Sequence, residues 1–541
     1  MFFKEVNSMV VKETVKADVL VIGGGAAGLV AASEAASAGK KVILVSRSRP
    51  GKACNTVLSN GYFRCETDSY TRADHRKDTL ESGKKLNVES LVAVLADEAH
   101  STLKRLVELG MPGKMREKGL KVYGKALFGG PDLTRSLARI CSVSSARFID
   151  SITITDLVVH DGICRGATGI GPGGRPVAFC APSVVLATGG AAGVFRFNDN
   201  APGSHGDGYA LALDAGLDLV DMEFIQFYPL IKADQAKRRM LLPAAFADPA
   251  VITNRHGEDL KEKYRLFSKP IARLMRDRFS RAIFEEVLIG NGIDGAVLMD
   301  MTQLRKPDLP ISGNLFDRFE KILGFTRVPV KIAPAAHFTM GGIRTDSEGR
   351  TRLNGLYAVG EVVGGLHGAN RAGGNALSEA VVFGARCGGA LLDDTALPCA
   401  GSRFDISADR LLEQRFEPVS GCIEVKPPAS LQALGDVMWN KAGIIRTEEN
   451  LNQALAFVDR MLEWISGEGS RSLMDPQKKW ELRAASLTSR AIIASALART
   501  ESRGAHFRQD YPEESGSWAR NIHTAVGASG MPEVIRIEAI T

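Results

Sequence analysis

The sequence predicts an α/β protein of three parts: a nucleotide-binding domain built on a parallel sheet, an inserted α+β capping domain and a C-terminal helical domain. A glycine turn between two apolar strands lies near the N-terminus, and glycine-rich, strand-like sequence returns after residue 328. The segment between them carries more charge and weaker strands. We therefore assign residues 1–230 and 329–400 to the first domain, 231–328 to the inserted domain and 401–541 to the helical domain.

The glycine turn is the feature on which the first domain depends. Val19–Ile22 and Val42–Val45 are short apolar runs, typical of strands buried on both faces. Gly23 allows a tight turn, Gly25 lets the backbone approach a pyrophosphate, and Gly28 lets the following alanine-rich helix pack on the strand. The N-terminus of that helix offers unpaired N–H groups to phosphate. This order of elements predicts a Rossmann-like dinucleotide site.

The end of the second strand does not identify the dinucleotide. An acidic residue usually lies there and binds the ribose hydroxyls, whereas this chain has Ser46 followed by Arg47. Either the departure weakens the site, or a hydroxyl replaces the carboxylate. The turn alone leaves both NAD and FAD open.

Composition narrows the class of protein. The chain has 541 residues, of which 45% are apolar and 24% charged, as in ordinary globular proteins. Its net charge is +6 and no block of Lys and Arg stands out, so nucleic-acid binding is not expected. The mild positive excess favours anionic substrates.

Cysteine spacing and hydropathy predict the compartment. None of the eight cysteines forms a CxxC pair, so no zinc or iron–sulfur ligand set is expected on this chain. Scattered cysteines without a secretory leader predict a cytoplasmic protein. No apolar run reaches about 18 residues, so no direct membrane insertion is expected.

Several elements are predicted from periodicity. The pattern indicates helices over Val88–Gly110, Leu133–Ile140 and Ile271–Ile289. It indicates a strand over Val184–Ala187 and an extended segment over Asp221–Pro229.

Three ordered motifs carry a resemblance to a known family. They are HFTMGGI at His337–Ile343, the pair Gly360-Glu361, and HGANRAGGNAL at His367–Leu377. The chain resembles the flavoprotein subunit of succinate dehydrogenase and fumarate reductase, with L-aspartate oxidase as a relative. RTEENL at Arg446–Leu451 and ESRGAHFRQDYP at Glu501–Pro512 extend the resemblance over nearly the whole chain.

The resemblance implies that the dinucleotide is FAD. Family members tend to end the second strand with serine, so Ser46 becomes an expected residue. Carried over position by position, the implied cofactor-binding residues are Gly23, Gly25, Ala27, Gly28, Ser46, Lys52, Ala53, Thr56, Gly189, Asp207, Glu361, Ala376 and Leu377.

The resemblance also implies hydride transfer between the flavin and a carboxylic acid or its α,β-unsaturated form. Arg371 would bind the substrate carboxylate through its planar fork, and His337 would bind substrate beside it. Arg276, in MRDRFSRAI, would be the catalytic proton donor, although an arginine with a pKa above about 12 needs a relay to serve as an acid. From the residues alone, Arg276 with Asp277 and Arg281 equally fits a salt-bridged helix face.

Three departures from the family pattern concern the substrate and the flavin. Cys54 stands where the family has the histidine of its covalent FAD bond, so the FAD is expected to be non-covalent. Tyr228, taken here as substrate-binding, replaces a second substrate histidine, and Leu230 replaces a threonine. The family's acidic, glycine-rich loop is missing from Leu241–Asn254. These departures predict a small carboxylic acid substrate other than plain succinate or fumarate.

Three functions remain open at this point. The leading one is a flavoprotein that exchanges electrons with a separate iron–sulfur subunit, cytoplasmic and reaching the membrane only through a partner. The second is a stand-alone oxidase like L-aspartate oxidase. The third is a non-catalytic flavin subunit for electron transfer.

Overall fold

The computed structural model describes residues 14–124, 127–233, 240–305, 313–392, 429–467 and 474–540. Its centre is a parallel five-stranded sheet. Val19–Ile22 lies in the middle of that sheet, and its alternate side chains enter two separate apolar cores. The strands are ordered Leu356–Ala358, Ser183–Leu186, Val19–Ile22, Val42–Val45 and Arg147–Ile149.

Helices cover this sheet because its strands are apolar on both faces. One core packs Ala26–Ser37 against the helices Asn375–Ala390 and Gly130–Val143. Glu89–Glu108 packs on Asn375–Ala390, and Asp207–Asp214 lies in the other core. Shorter helices and 3₁₀ turns complete the connections: Asn55–Leu58, Arg72–Ser82, Pro172–Gly174, Ala192–Val194, Gly360–Val362 and Gly516–Trp518.

Two smaller sheets flank the parallel one. The first contains Thr14–Lys16, Pro176–Cys180, Ile163–Ile170 and Thr153–His160, and the second Tyr62–Arg64, Gly119–Lys121 and Lys114–Arg116. The second contributes one wall of the candidate site through Tyr62 and Lys121.

A four-stranded antiparallel sheet forms the capping region. Its strands are ordered Ile225–Lys232, Val330–Thr339, Val297–Asp300 and Val251–Thr253. The first two strands in this order lie largely outside the segment 231–328, so the sheet joins the capping region to the nucleotide-binding domain without a linker. The same region contains four helices and a 3₁₀ turn: Leu260–Lys263, Ile271–Leu274, Arg276–Leu288, Gly313–Leu323 and Ala244–Phe246.

Most of the predicted elements are confirmed with small shifts in their ends. The predicted continuous helix Ile271–Ile289 is wrong, because it is broken at Met275, where φ is −123° and ψ is 28°. At the break the Arg276 side chain donates from Nε to the Ala272 carbonyl at 3.3 Å. The break therefore places Arg276 at the start of a new helix.

The C-terminal part is helical and then adds a β-hairpin that the sequence did not predict. The helices are Leu431–Lys441, Glu448–Ser466 and Pro476–Ala498. The strands Arg520–Val526 and Pro532–Ala539 pair with each other. Arg520–Val526 also pairs with Leu219–Val220, and Leu219–Val220 in turn pairs with Gly342–Ile343. The predicted helical content of 404–428 lies outside the described residues. No helix of the described part is long and apolar enough to cross a membrane.

Candidate active site

A cavity of about 810 Å³ opens between the parallel-sheet domain and the capping region. Most of the residues predicted for cofactor and substrate line it: Gly23, Gly25, Ala27, Ser46, Ala53, Thr56, Gly189, Asp207, Tyr228, Arg276, His337, Glu361, Arg371, Ala376 and Leu377. Two predicted residues do not. Gly28 packs against the turn, where a Cβ would lie 2.1 Å from the Gly23 oxygen, and Lys52 is exposed outside the lining.

The glycine turn presents a bare backbone to the cavity. Gly23 has φ of +120°, and a Cβ there would lie 2.2 Å from the Ala187 oxygen, so no side chain fits. Gly25 precedes the helix Ala26–Ser37. The Ala26 N–H donates to Thr56 Oγ1 at 3.1 Å, which fixes the Thr56 loop over the helix N-terminus.

A second helix N-terminus faces the same cavity. The helix Asn375–Ala390 begins after Gly374, which has φ of +92°. Asn375 is buried, with its side-chain oxygen 2.9 Å from His75 Nε2 and its Nδ2 donating to Thr79 Oγ1 at 2.9 Å. This network fixes the first turn, which carries Ala376 and Leu377 into the lining.

Two partly buried carboxyl groups border the part of the cavity beside the glycine turn. Glu361 accepts from the Thr339 N–H at 3.2 Å and from Asn55 Nδ2 at 3.3 Å, and burial raises its pKa to about 7. Asp207 pairs with Arg47, burial raises its pKa, and its Oδ1 has no partner among the described residues. Acceptor atoms therefore remain available there.

The substrate end of the cavity contains two buried arginines joined by one glutamine. Gln226 Oε1 accepts from Arg276 Nη1 at 2.6 Å and from Arg371 Nη2 at 2.8 Å. Gln226 Nε2 donates to Asn370 Oδ1 at 2.7 Å and to the Arg371 carbonyl at 3.1 Å. The sequence alone assigned Gln226 no role, although a polar residue in an otherwise apolar strand was the available signal.

The two guanidinium groups need an anion. Burial, together with the neighbouring Arg276 charge, lowers the pKa of Arg371 to about 9, and burial lowers the pKa of Arg276 as well. Arg371 Nε is buried and has no hydrogen-bond partner within the described residues. The Arg371 guanidinium lies 4.4 Å from the centroid of the Phe338 ring, which fixes its plane.

His337 lies in the same lining and is oriented by a residue that the sequence did not reveal. Its Nδ1 lies 2.7 Å from Asp199 Oδ2, so the neutral ring carries its proton on Nδ1 because the carboxylate only accepts. Burial lowers the pKa of His337, and the Arg371 charge acts in the same direction. No motif marked Asp199, since its partner is 138 residues away in sequence.

Tyr228 contributes its ring to the site. Its hydroxyl donates to the Leu242 carbonyl at 2.9 Å, and burial raises its pKa to about 12. The ring lies 5.5 Å from the His337 ring and 5.6 Å from the Arg276 guanidinium. Beside it the lining is apolar over 241–245, where the acidic loop is missing.

The fold and the site together define a flavoprotein. Residues 18–377 match the FAD binding domain family, and residues 431–537 match the fumarate reductase flavoprotein C-terminal family. The chain belongs to the fumarate reductase and succinate dehydrogenase flavoprotein family, whose members are FAD-dependent oxidoreductases acting on CH–CH bonds.

Relatives align along nearly the whole chain. A subunit of the fumarate reductase (CoM/CoB) of Methanothermobacter marburgensis is 32% identical, covering 94% of this chain and 97% of its own. An L-aspartate oxidase of Streptomyces coelicolor is 28% identical, covering 94% and 91%. E. coli quinol fumarate reductase FrdA matches with a TM-score of 0.85 at 27% identity, covering 98% and 97%. Mycobacterium smegmatis Sdh1 matches with a TM-score of 0.81 at 30% identity, covering 98% of this chain and 95% of its own.

The cavity suits FAD. A Cβ on Gly189 would meet no atom within 4 Å, so that turn is open to the cavity. The free Asp207 Oδ1 and a partnerless Thr188 Oγ1 lie in the lining beside the glycine turn. The N-terminal ends of the helices Ala26–Ser37 and Asn375–Ala390 both face the cavity, and the partial positive charge of each favours phosphate or a flavin carbonyl. Within the described residues, no group of His, Cys, Asp or Glu is arranged to hold a metal ion.

Proposed function

We propose that this chain reduces the carbon–carbon double bond of an α,β-unsaturated carboxylic acid, and that Arg276 is the proton donor. The observation that carries the proposal is the buried pair Arg276 and Arg371, held by one Gln226 oxygen beside His337 in the cavity that suits FAD. Such a pair can hold a carboxylate and place a proton donor beside the bound molecule.

Each residue has a distinct task in the proposed reaction. Arg371 binds the carboxylate, and Arg371 Nε is the unsatisfied donor that it would reach. His337 contacts the substrate beside it but does not donate to the carboxylate, because its one proton, on Nδ1, is directed to Asp199. The glycine turn and the helix that begins at Asn375 would hold the FAD, whose reduced form would be the source of the hydride for the β-carbon. Arg276 supplies a proton to the α-carbon, which completes the saturated acid. Its lowered pKa makes that proton less costly to release than from a solvated arginine.

The proposed substrate is an enoate other than fumarate. The Tyr228 hydroxyl donates to the Leu242 carbonyl, so it is not free to donate to a second carboxylate at that place. The wall at 241–245 is apolar. An apolar carbon chain next to the reacting double bond suits this wall.

The proposed FAD is non-covalent. Cys54 lies in the cavity lining at the start of the short helix Asn55–Leu58. Burial raises the pKa of the Cys54 thiol, which disfavours the thiolate needed for a bond to carbon.

We further propose a cytoplasmic protein with a separate iron–sulfur partner. Reducing equivalents must reach the flavin, and the described residues include no ligand set for a cluster. The relative from M. marburgensis is named as one subunit of its enzyme, which favours assembly with other chains.

The second candidate is a stand-alone oxidase, since several relatives are named L-aspartate oxidase. An amino acid needs an acceptor for its ammonium group. Asp199, the described carboxyl group beside His337 in the lining, is already paired with His337, and Asp207 and Glu361 lie beside the glycine turn instead. This favours the enoate. A non-catalytic flavin subunit is disfavoured by the joint presence of Arg276, His337 and Arg371.

Anaerobic flavin reoxidation tests the proposal. The holoenzyme is photoreduced, and a panel of enoates is added while the flavin absorbance is followed. We expect at least one enoate to reoxidise the flavin with formation of the saturated acid. Arg276→Ala should lower this rate by about 10²- to 10⁴-fold with FAD still bound, and the exposed Arg278→Ala serves as control. Reoxidation by dioxygen alone, with peroxide released on addition of L-aspartate, would support the oxidase instead.

A further inference from the structure

The entrance of the cavity carries cations that the proposed chemistry does not use. Arg273 lies on the capping helix Ile271–Leu274, and Lys121 ends the strand Gly119–Lys121 on the opposite wall. Both line the cavity. Arg318, on the helix Gly313–Leu323, contributes another guanidinium to the lining.

Arg273 is available for a ligand. It is exposed, and its guanidinium makes no hydrogen bond or ion pair with any described residue. Its charge acts on groups of both walls: it lowers the pKa of Lys121 and acts on Tyr62 on one side, and on Tyr228 and Arg276 on the other. Arg273 therefore contributes its charge to the cavity from the capping side.

Lys121 is poorly compensated. Burial, with the Arg273 charge, lowers its pKa to about 8, and its Nζ donates to the uncharged carbonyl of Asn60. No carboxyl group of the described lining lies beside it, because Asp199, Asp207 and Glu361 are engaged elsewhere. An anion bound between two cations lowers their mutual repulsion when no carboxylate of the protein does so.

Apolar side chains share the lining with these cations. They include Leu127, Phe128, Leu241, Leu242 and Leu315. A ligand in this cavity with one anionic group at Arg371 and another at Arg273 would therefore suit an apolar stretch in its middle.

We propose that Arg273 and Lys121 bind a second anionic group of the substrate, so that the enzyme's substrates are long enoates with a second acid at the far end. This inference rests on the proposed function and specifies its substrate class. A carboxylate, sulfonate or phosphate could supply the second charge, since each accepts from guanidinium and ammonium donors.

The test compares paired substrates at neutral pH. A series of trans-α,ω-alkenedioic acids longer than fumarate is offered to the photoreduced holoenzyme, together with the corresponding monoesters that keep the enoate carboxylate and mask the distal one. The same enoates with a distal sulfonate or phosphate identify the preferred anion. The readout is the ratio of kcat/KM for the free acid to that for its monoester.

We expect a ratio of about tenfold or more, the effect of a contact of about 1.4 kcal/mol. Arg273→Gln and Lys121→Gln should each lower the ratio towards one, and Arg273→Glu should lower it further. The matched control is Arg278→Gln, an exposed arginine on the following helix that lies outside the lining and donates to the Tyr264 carbonyl; it should leave the ratio intact. The oxidised holoenzyme and these variants are also titrated with saturated diacids, followed by flavin absorbance. Their affinities for the diacids should fall in the same order as their kcat/KM ratios.

The outcomes separate the two proposals. If no enoate reoxidises the flavin, the proposed function fails. If monoesters and diacids reoxidise it equally, or if Arg273→Gln leaves the ratio unchanged, the second anion site is wrong while the proposed function stands. Loss of the ratio in Arg278→Gln as well would mean a general charge effect and would also overturn the site.

Discussion

At the scale of single residues, Gln226 determines the geometry of the site. Its Oε1 is the shared acceptor of two buried guanidinium groups. We predict that Gln226→Leu costs about 1–3 kcal/mol of unfolding free energy, because both arginines lose a buried acceptor. Gln226→Glu should keep the stability but raise KM and lower kcat, because a fixed carboxylate satisfies Arg371 in place of the substrate.

Guanidinium chloride unfolding and steady-state kinetics on both variants check this prediction. Normal kinetics in Gln226→Glu would contradict the positioning role. The exposed Gln453, which donates to Glu449 at 3.0 Å within the helix Glu448–Ser466, gives a control through Gln453→Glu, for which no change in kinetics is expected.

A second residue-scale prediction concerns pH. The pKa of Arg371 is lowered to about 9 by burial and by Arg276, so its cation is present below that pH and is lost above it. Binding of a monoester, whose one free carboxylate reaches Arg371, should therefore change little at neutral pH and weaken as pH rises through about 9. KM measured against pH tests this, with flavin absorbance confirming that FAD stays bound. A KM that is flat up to pH 11 would contradict the assigned pKa.

Local motifs predicted residues that do line the cavity, while the roles of those residues stay predictions. Arg276, His337 and Arg371 all line the cavity as expected. Asp199 and Gln226 received no role because a hydrogen bond between distant segments leaves no local spacing to detect.

At the scale of elements, the sequence predicted the parallel sheet well, because buried strands and glycine turns are local patterns. It missed the break at Met275 and the hairpin Arg520–Val526 with Pro532–Ala539. Both depend on tertiary partners. The hairpin pairs with Leu219–Val220, some 300 residues earlier in the chain.

A buried ion cluster joins the hairpin region to Glu223, which lies just before the strand that carries Gln226. Arg499 Nε lies 2.5 Å from Glu223 Oε1, and Arg499 also donates to the Trp518 and Arg520 carbonyls at 2.9 Å. We predict that Arg499→Met costs about 3–5 kcal/mol, because it leaves Glu223 buried without its partner. Denaturant unfolding measures this cost.

The matched control lies on the same hairpin. Arg536 is exposed and pairs with Glu538 at 2.9 Å, so Arg536→Met should cost less than about 1 kcal/mol. Equal costs for the two variants would show that burial of the cluster around Arg499 contributes nothing.

At the scale of the whole molecule, the cavity is bordered by the parallel-sheet domain and by the capping region at once. Gly23 and Ala376, which are predicted to bind FAD, lie on the first, and Arg276 lies on the second. A ligand in this cavity therefore stabilises the folded chain as a unit, by an amount set by its free concentration relative to Kd.

The last prediction follows from this arrangement and from Cys54. Because the partly buried Cys54 thiol has a raised pKa and this position carries no histidine, acid precipitation should release all the flavin into the supernatant. The apo-protein prepared under mild conditions should unfold at a lower temperature, and FAD at about 100 times Kd should restore about 2.7 kcal/mol. Thermal unfolding with added FAD measures the shift, and NAD at the same concentration, which should leave the midpoint unmoved, is the control. Flavin that stays with the precipitate would demonstrate a covalent bond and contradict the prediction.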